Sequence, residues 1–105
     1  MKKEFAVIFK TLRSLPMPAE YHEMSAKLVE LARARDGFLR IETVADANGN
    51  GVSVSYWRSL EAIKEWKADL THLEAQARGK NEWYLDYEVQ ICEVLRSYKK
   101  SESNF

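Results

Sequence analysis

Apolar positions recur along the chain with two different spacings, and each change of spacing marks a predicted element. Residues 4–12 are an apolar run of strand length, rich in aromatic and β-branched side chains. In residues 18–35 the apolar side chains follow the spacing of an amphipathic helix. These side chains are Tyr21, Met24, Leu28 and Leu31. Pro18 suits the first helical turn, and Gly37 is placed to end the helix in a left-handed conformation.

The second half of the chain repeats this change between strand and helix. Phe38–Ala45 and residues 52–58 are predicted strands, and the Asn-Gly pairs between them indicate a hairpin. Ser59 is a suitable N-cap for a second helix that ends at Gly79, and a fourth strand covers about residues 83–97. The apolar positions of that helix are Leu60, Ile63, Trp66, Leu70 and Leu73.

The order β-α-β-β-α-β predicts an α+β fold of the ferredoxin-like type, an antiparallel sheet with two helices on one face. The length of 105 residues allows a single domain, residues 1–105. We expect order from about residue 3 to residue 98 and a flexible tail at residues 99–105.

The composition and net charge of the chain argue against several classes of function. Apolar residues make up 46% of the chain and the formal net charge is zero, so the basic excess of a nucleic-acid-binding surface is missing. No apolar run approaches the roughly 20 residues that span a bilayer, and no signal-like segment is present, so we expect a cytoplasmic protein without membrane contact. The single cysteine, Cys92, excludes an intrachain disulfide and a multi-cysteine metal site, and we expect it to be buried.

The predicted sheet is apolar on both faces, whereas two helices cover only one face. In the first strand, one face carries Phe5, Val7 and Phe9, and the other carries Ala6 and Ile8. In the fourth strand, one face carries Leu85, Tyr87, Val89 and Ile91, and the remaining apolar residues include Tyr84, Cys92 and Val94. A bulge near Glu93 is needed to reconcile its two halves. We therefore expect a homodimer through the free sheet face, the alternative being a monomer with exposed apolar residues.

The segment from Ser55 through Trp66 and His72 to Tyr87 and Val89 resembles the antibiotic biosynthesis monooxygenase (ABM) superfamily, most of all its small stand-alone bacterial members. The resemblance covers nearly the whole chain. It implies a dimeric α+β barrel, in which two ferredoxin-like sheets pack face to face, and an apolar cavity between sheet and helices. Members with known activities oxygenate polycyclic phenols or quinols without metal or flavin, degrade haem, or process small quinones.

The haem-degrading branch of this superfamily has an asparagine on the first strand, a tryptophan on the second helix and a histidine ten residues further on. Trp66 matches the tryptophan, but the residue ten positions later is Gln76, and residues 4–12 contain no asparagine. The resemblance therefore argues against haem degradation.

Trp66 and His72 are the candidate catalytic residues. Trp66 is either a core residue or a pocket wall whose indole N–H donates to a substrate oxygen. His72 follows Asp69 by three residues, so that carboxylate could orient it as a general base that removes a phenolic proton. The alternative is a surface histidine in a helical pair with Asp69. We expect His22 to be solvated.

Four further residues are candidates for binding the substrate: Phe9, Trp57, Tyr87 and Arg58. Packing or a surface position is the alternative for each. Trp57 and Tyr56 face opposite sides of the third strand, and Tyr87 and Tyr84 present the same choice on the fourth.

The sequence thus predicts a cofactor-independent monooxygenase that acts on a small aromatic, quinol or polyketide-like compound. The alternative is a non-catalytic module of the same fold that binds or senses a small apolar or aromatic ligand. Isomerase or decarboxylase chemistry is a third possibility.

Overall fold

Four strands and two helices follow each other in the predicted order in the computed structural model, which describes residues 2–17, 19–77 and 83–101. From residue 70 to residue 77 it describes the backbone alone. The elements are β1 (Glu4–Arg13), α1 (Ala19–Ala34), β2 (Phe38–Ala45), β3 (Asn50–Trp57), α2 (Leu60–Ala77) and β4 (Tyr84–Val94). The helix boundaries predicted at Pro18 and Gly79 lie outside the described residues.

The strands form one antiparallel sheet in the order β2-β3-β1-β4, which confirms the ferredoxin-like α+β prediction. β1 is central and pairs with β3 from Phe5 opposite Trp57 to Leu12 opposite Asn50. The helices pack on each other and on β2 and β3, and the sheet of the single chain stays open at β2 and β4. We call the sheet face under the helices the inner face. In the described part of the chain, neither helix is long and apolar enough to cross a membrane.

The local signals for turns and caps act as predicted. Gly37 has a φ of 97° after α1, and its carbonyl accepts a hydrogen bond of 2.8 Å from the Arg58 N–H. Gly49 has a φ of 95° in the hairpin between β2 and β3. The Ser59 Oγ accepts the Ala62 N–H at 3.1 Å, so it caps α2.

The core lies where α2 crosses β3 and the inner face of β1. Its buried members are Val7, Ala32, Trp57, Ala62, Ile63 and Trp66. Arg35, just after α1, holds α2 beside this core through hydrogen bonds of 3.0 and 2.6 Å to Asp69 Oδ2. A further ion pair of 3.5 Å joins Arg35 to Glu65. Because these side chains are 31–52% exposed, the pairs orient α2 more than they stabilise it.

β4 differs from its prediction in length and in the place of its irregularity. It ends at Val94, not near residue 97, because Val94 lies opposite Glu4, where β1 begins. The bulge predicted near Glu93 is wrong, since pairing with β1 is regular from there to Asp86. The register instead shifts between Leu12 and Arg13, opposite Leu85.

The prediction of a buried Cys92 is also wrong for the single chain, in which Cys92 is exposed. Cys92 pairs with Ala6, whose position in the alternation of β1 places it on the face away from the helices. Neither helix covers that face.

Gly37 is the position at which the packing of α2 depends most directly on a missing side chain. A Cβ at Gly37 would lie 2.9 Å from the Ala62 Cβ, and its φ of +97° is strained for any L side chain. We therefore expect Gly37→Ala to lower the free energy of unfolding by about 2 kcal/mol or more, measured by urea denaturation.

A double-mutant cycle with Ala62→Gly separates the two causes. Removing the Ala62 methyl group relieves the contact but not the backbone strain, so Gly37→Ala should cost about 1 kcal/mol less in that background. Equal costs in both backgrounds would contradict the close approach of α2 to Gly37.

Candidate functional site

A cavity of about 620 Å³ lies between the inner face of the sheet and the two helices. This volume lies within the range of small-molecule sites. Alternate residues of β1 form its floor, namely Val7, Phe9, Thr11 and Arg13. The helices contribute Tyr21, His22, Met24, Ser25, Leu28, Val29, Ile63, Trp66 and Lys67.

Small side chains on β2 and β3 leave room for this cavity. They are Thr43, Ala45, Gly51, Ser53 and Ser55. On the other side the wall is formed by β4, where Tyr87, Val89 and Ile91 are 41%, 50% and 49% exposed. The cavity therefore has small side chains on the β2 and β3 side and an apolar wall on the β4 side that is partly open along the edge of the sheet.

Trp66 lies in the wall of the cavity with its ring buried. Its indole Nε1 is buried and has no hydrogen-bond partner among the described residues. Trp57 supports it from behind, with ring centroids 5.0 Å apart, and the Trp57 Nε1 donates to the Ser55 Oγ at 2.9 Å. Of two adjacent buried indoles, one N–H is thus satisfied inside the protein and the other has no partner among the described residues.

Aromatic rings line the cavity between Trp66 and the Arg13 end of β1. Phe9 contacts Tyr84 and Tyr87 edge to face, each with ring centroids 5.8 Å apart, and Tyr21 contacts Tyr84 at 6.1 Å. The prediction that Tyr84 and Tyr87 face opposite sides is wrong. The register shift opposite Leu85 inserts one residue between them, so both line the same cavity.

Three basic side chains, from Arg13, His22 and Lys67, also line the cavity. Arg13 is held by the β2–β3 hairpin, since its Nε donates to the Gly49 carbonyl and its Nη2 to the Asp46 carbonyl, each at 3.3 Å. Hydrogen bonds from the Asn50 side chain and backbone hold the pKa of the Asp46 carboxyl below its ordinary value of 3.8.

Sequence reasoning missed Arg13 and His22 as site residues. Arg13 continues the alternation of Val7 and Phe9, and a strand extended by one residue would have included it. His22 is exposed at the cavity rim, three residues before Ser25 on the same helical face. For both residues the sequence spacing indicates the cavity face. A polar residue at the end of a strand or helix is, however, equally typical of a solvent-exposed surface.

The structure brings some of the predicted site residues together and not others. Trp66, Phe9 and Tyr87 line the cavity. Trp57 is fully buried behind the wall, and Arg58 is exposed outside it.

The His72 side chain lies outside the described residues. The carboxylate expected to orient it, Asp69, is bound by the Arg35 guanidinium. Among the described residues, no group of three or more His, Cys, Asp or Glu could hold a metal ion.

A ferredoxin-like sheet with a mainly apolar cavity under its two helices defines the structural class of this domain. Residues 18–78 match the family model of antibiotic biosynthesis monooxygenases. The chain belongs to this family, which confirms the resemblance seen in its sequence.

Three proteins similar to this chain differ in how closely they match it. An uncharacterised protein of Bacillus subtilis, YqjZ, is 38% identical over 92 residues, which are 88% of this chain and 80% of that protein. A jasmonate monooxygenase of Pyricularia oryzae is 31% identical over 93% of this chain, which spans only 46% of that protein. The crystal structure of SnoaB, a cofactor-independent oxygenase from Streptomyces nogalater, superposes with a TM-score of 0.68 at 13% identity, covering 95% of this chain and 99% of SnoaB.

The hydrogen bond between Trp57 and Ser55 gives a test of how the wall is supported. Ser55→Ala leaves the fully buried Trp57 N–H without its acceptor, so we expect the free energy of unfolding to fall by about 1–3 kcal/mol. Ser53→Ala, two residues away on the same strand face, removes a hydroxyl bonded to the exposed Thr43 and should change it by less than about 0.5 kcal/mol. Urea denaturation measures both, and equal effects would contradict a special role for the Trp57–Ser55 bond.

Proposed function

We propose that this protein is a cofactor-independent monooxygenase that acts on a small aromatic or quinol-type compound bound in the cavity. One observation carries the proposal: Trp66 lines the cavity, and its buried indole N–H has no hydrogen-bond partner among the described residues. A substrate oxygen that accepts this hydrogen bond would hold an aromatic ring against Phe9 and Tyr87. An unsatisfied buried donor is costly, so binding such an oxygen is favourable.

The reaction needs no electron source other than the substrate. A quinol and one O₂ together contain the atoms of a hydroxyquinone and one water. All four electrons that reduce the two oxygen atoms come from the quinol ring. Loss of a phenolic proton makes the ring electron-rich enough to react with O₂. The protein's part is to bind the substrate, remove that proton and stabilise the anion.

A histidine is the proposed base. We propose His72 for this role on the strength of its position in the sequence, and His22 is the second candidate because it lines the cavity rim. Names of relatives support the reaction class: SnoaB is described as a cofactor-independent oxygenase, and the Pyricularia relative as a jasmonate monooxygenase.

Oxygen consumption with a panel of quinols, in buffer free of metals and flavin, tests this function. We expect turnover above the uncatalysed rate. Trp66→Phe keeps an aromatic ring and removes the N–H, so kcat/KM should fall about tenfold or more. Loss of the base should lower turnover about a hundredfold or more, and comparing His72→Ala with His22→Ala shows which histidine acts.

Turnover that is unchanged in Trp66→Phe and in both histidine variants would contradict the proposal. Thermal stabilisation by the same quinols without product formation would favour the non-catalytic binding module instead.

The proposed assembly is a homodimer through the outer face of the sheet, the face away from the helices. By the strand registers this face carries apolar residues at its centre, Ala6, Ile8, Val52 and Val54. Val52 is 39% exposed, and Val44 beside it is 74% exposed. Contiguous apolar positions on a face that neither helix covers support a second copy as the covering surface.

Val54→Glu places a charge opposite the apolar Ile8 on this face and should convert the dimer into a monomer, as measured by light scattering. Leu60→Glu makes the same kind of exchange at an exposed residue of the helical layer and should leave the dimer intact. A wild-type mass of 12.2 kDa, that of one chain, at all concentrations would contradict the dimer.

A further inference from the structure

We propose that the cavity accepts an elongated apolar ligand that carries one carboxylate, and that Arg13 binds this carboxylate. The inference rests on the proposed function, because it names the chemistry of the substrate that the same cavity would take. It adds a second recognition point, at the end of the cavity away from Trp66.

The charge of the cavity wall favours an anion. Among the described residues that line it are Arg13, Lys67 and the imidazole of His22, and there is no aspartate or glutamate. An apolar cavity with basic groups and no acidic group among its described lining residues attracts a negatively charged ligand and repels a cation.

The Asp46 carboxylate lies near Arg13 but forms no hydrogen bond with the Arg13 guanidinium among the described contacts. It accepts hydrogen bonds from the Asn48 N–H, the Asn50 N–H and the Asn50 side-chain amide at 2.9, 2.9 and 3.0 Å. Arg13 donates instead to the Asp46 main-chain carbonyl. The acidic group of the hairpin is therefore satisfied within its own loop, although its charge still lies close to Arg13.

The Arg13 side chain is preorganised for binding. Its Nε and Nη2 donate to two main-chain carbonyls of the hairpin, and its backbone N–H donates to the Gly49 carbonyl at 2.8 Å. A guanidinium has five N–H donors, so two side-chain bonds leave donors for a ligand carboxylate. A guanidinium held in place loses little entropy when it binds, and its planar shape matches a carboxylate.

The positions of Arg13 and Trp66 set the shape of the ligand. Val7 belongs to the same core cluster as Trp66, and Arg13 is six residues further along the same face of β1. At the rise of an antiparallel strand these two β1 positions are roughly 20 Å apart along the strand. Between them Phe9 and Tyr87 make the wall aromatic.

A ligand that uses both ends thus has an oxygen at Trp66, an apolar body over Phe9 and Tyr87, and an anionic head at Arg13. A small neutral quinol would satisfy only the Trp66 end. We therefore infer that the physiological substrate is larger than a single ring and is an acid.

Binding of biphenylacetic acid and of its methyl ester, measured by calorimetry at neutral pH, tests the anionic head. The two probes share the apolar body and differ in the carboxylate charge. We expect wild-type protein to bind the acid about tenfold or more tightly than the ester, because charge-assisted hydrogen bonds are stronger than neutral ones. In Arg13→Gln this preference should disappear, whereas Arg13→Lys should retain part of it.

Two lysine variants serve as comparisons. Lys10→Gln removes a cation from the opposite face of the same strand, where Lys10 lies 4.0 Å from Glu88, and should leave the preference unchanged. Lys67→Gln removes the basic residue next to Trp66. If the preference is lost in Lys67→Gln and kept in Arg13→Gln, the assignment to Arg13 is overturned.

The wild-type comparison tests the proposal even if an Arg13 variant does not fold, because an ester that binds as tightly as the acid overturns it directly. The oxygen assay separates the two proposals. If quinols are turned over but the acid is not preferred to the ester, the proposal that Arg13 binds a carboxylate is overturned and the oxygenase function is not. Acid preference without turnover supports the head and contradicts the oxygenase function.

Discussion

The packing of Trp66 against Trp57 is the contact on which both the core and the cavity depend. Trp57 is fully buried and its N–H is satisfied by Ser55 within the same strand, so its ring has a fixed position. Trp66 rests on that ring, and its own N–H is left without a partner among the described residues. Such a donor costs about 1–3 kcal/mol when it stays unsatisfied. The same contact therefore joins the core to the wall of the cavity.

The size of the inner-face side chains decides where the core ends and the cavity begins. Bulky residues, Phe5 and Trp57 among them, fill the space under α2 at one end of β1. Further along β1 and β3 the side chains shrink to Thr11, Ser53 and Gly51, and the helices no longer fill the space above them. The strand alternation continues unchanged through both regions, so the cavity results from a change of volume and not from a change of secondary structure.

The elements and the faces of their side chains could be predicted from the sequence, because periodicity records them directly. The sequence predicts Phe9, Tyr87 and Trp66 as site residues, and all three line the cavity. Tyr84 could not be placed, because a one-residue register shift reverses the face of every residue beyond it and leaves no mark in the local pattern. The role of His72 stays a prediction.

The two ends of the cavity are built by different physical means. At the Trp66 end, regular strand pairing and core packing place every group. At the other end Arg13 depends on two irregularities, the register shift at Leu85 and the positive φ of Gly49, where a Cβ would lie 2.7 Å from the Arg13 carbonyl oxygen. A change in the hairpin or at Leu85 would move Arg13 without disturbing the packed indoles. The fold thus allows the Arg13 end of the cavity to vary while the Trp66 ring at the other end keeps its position.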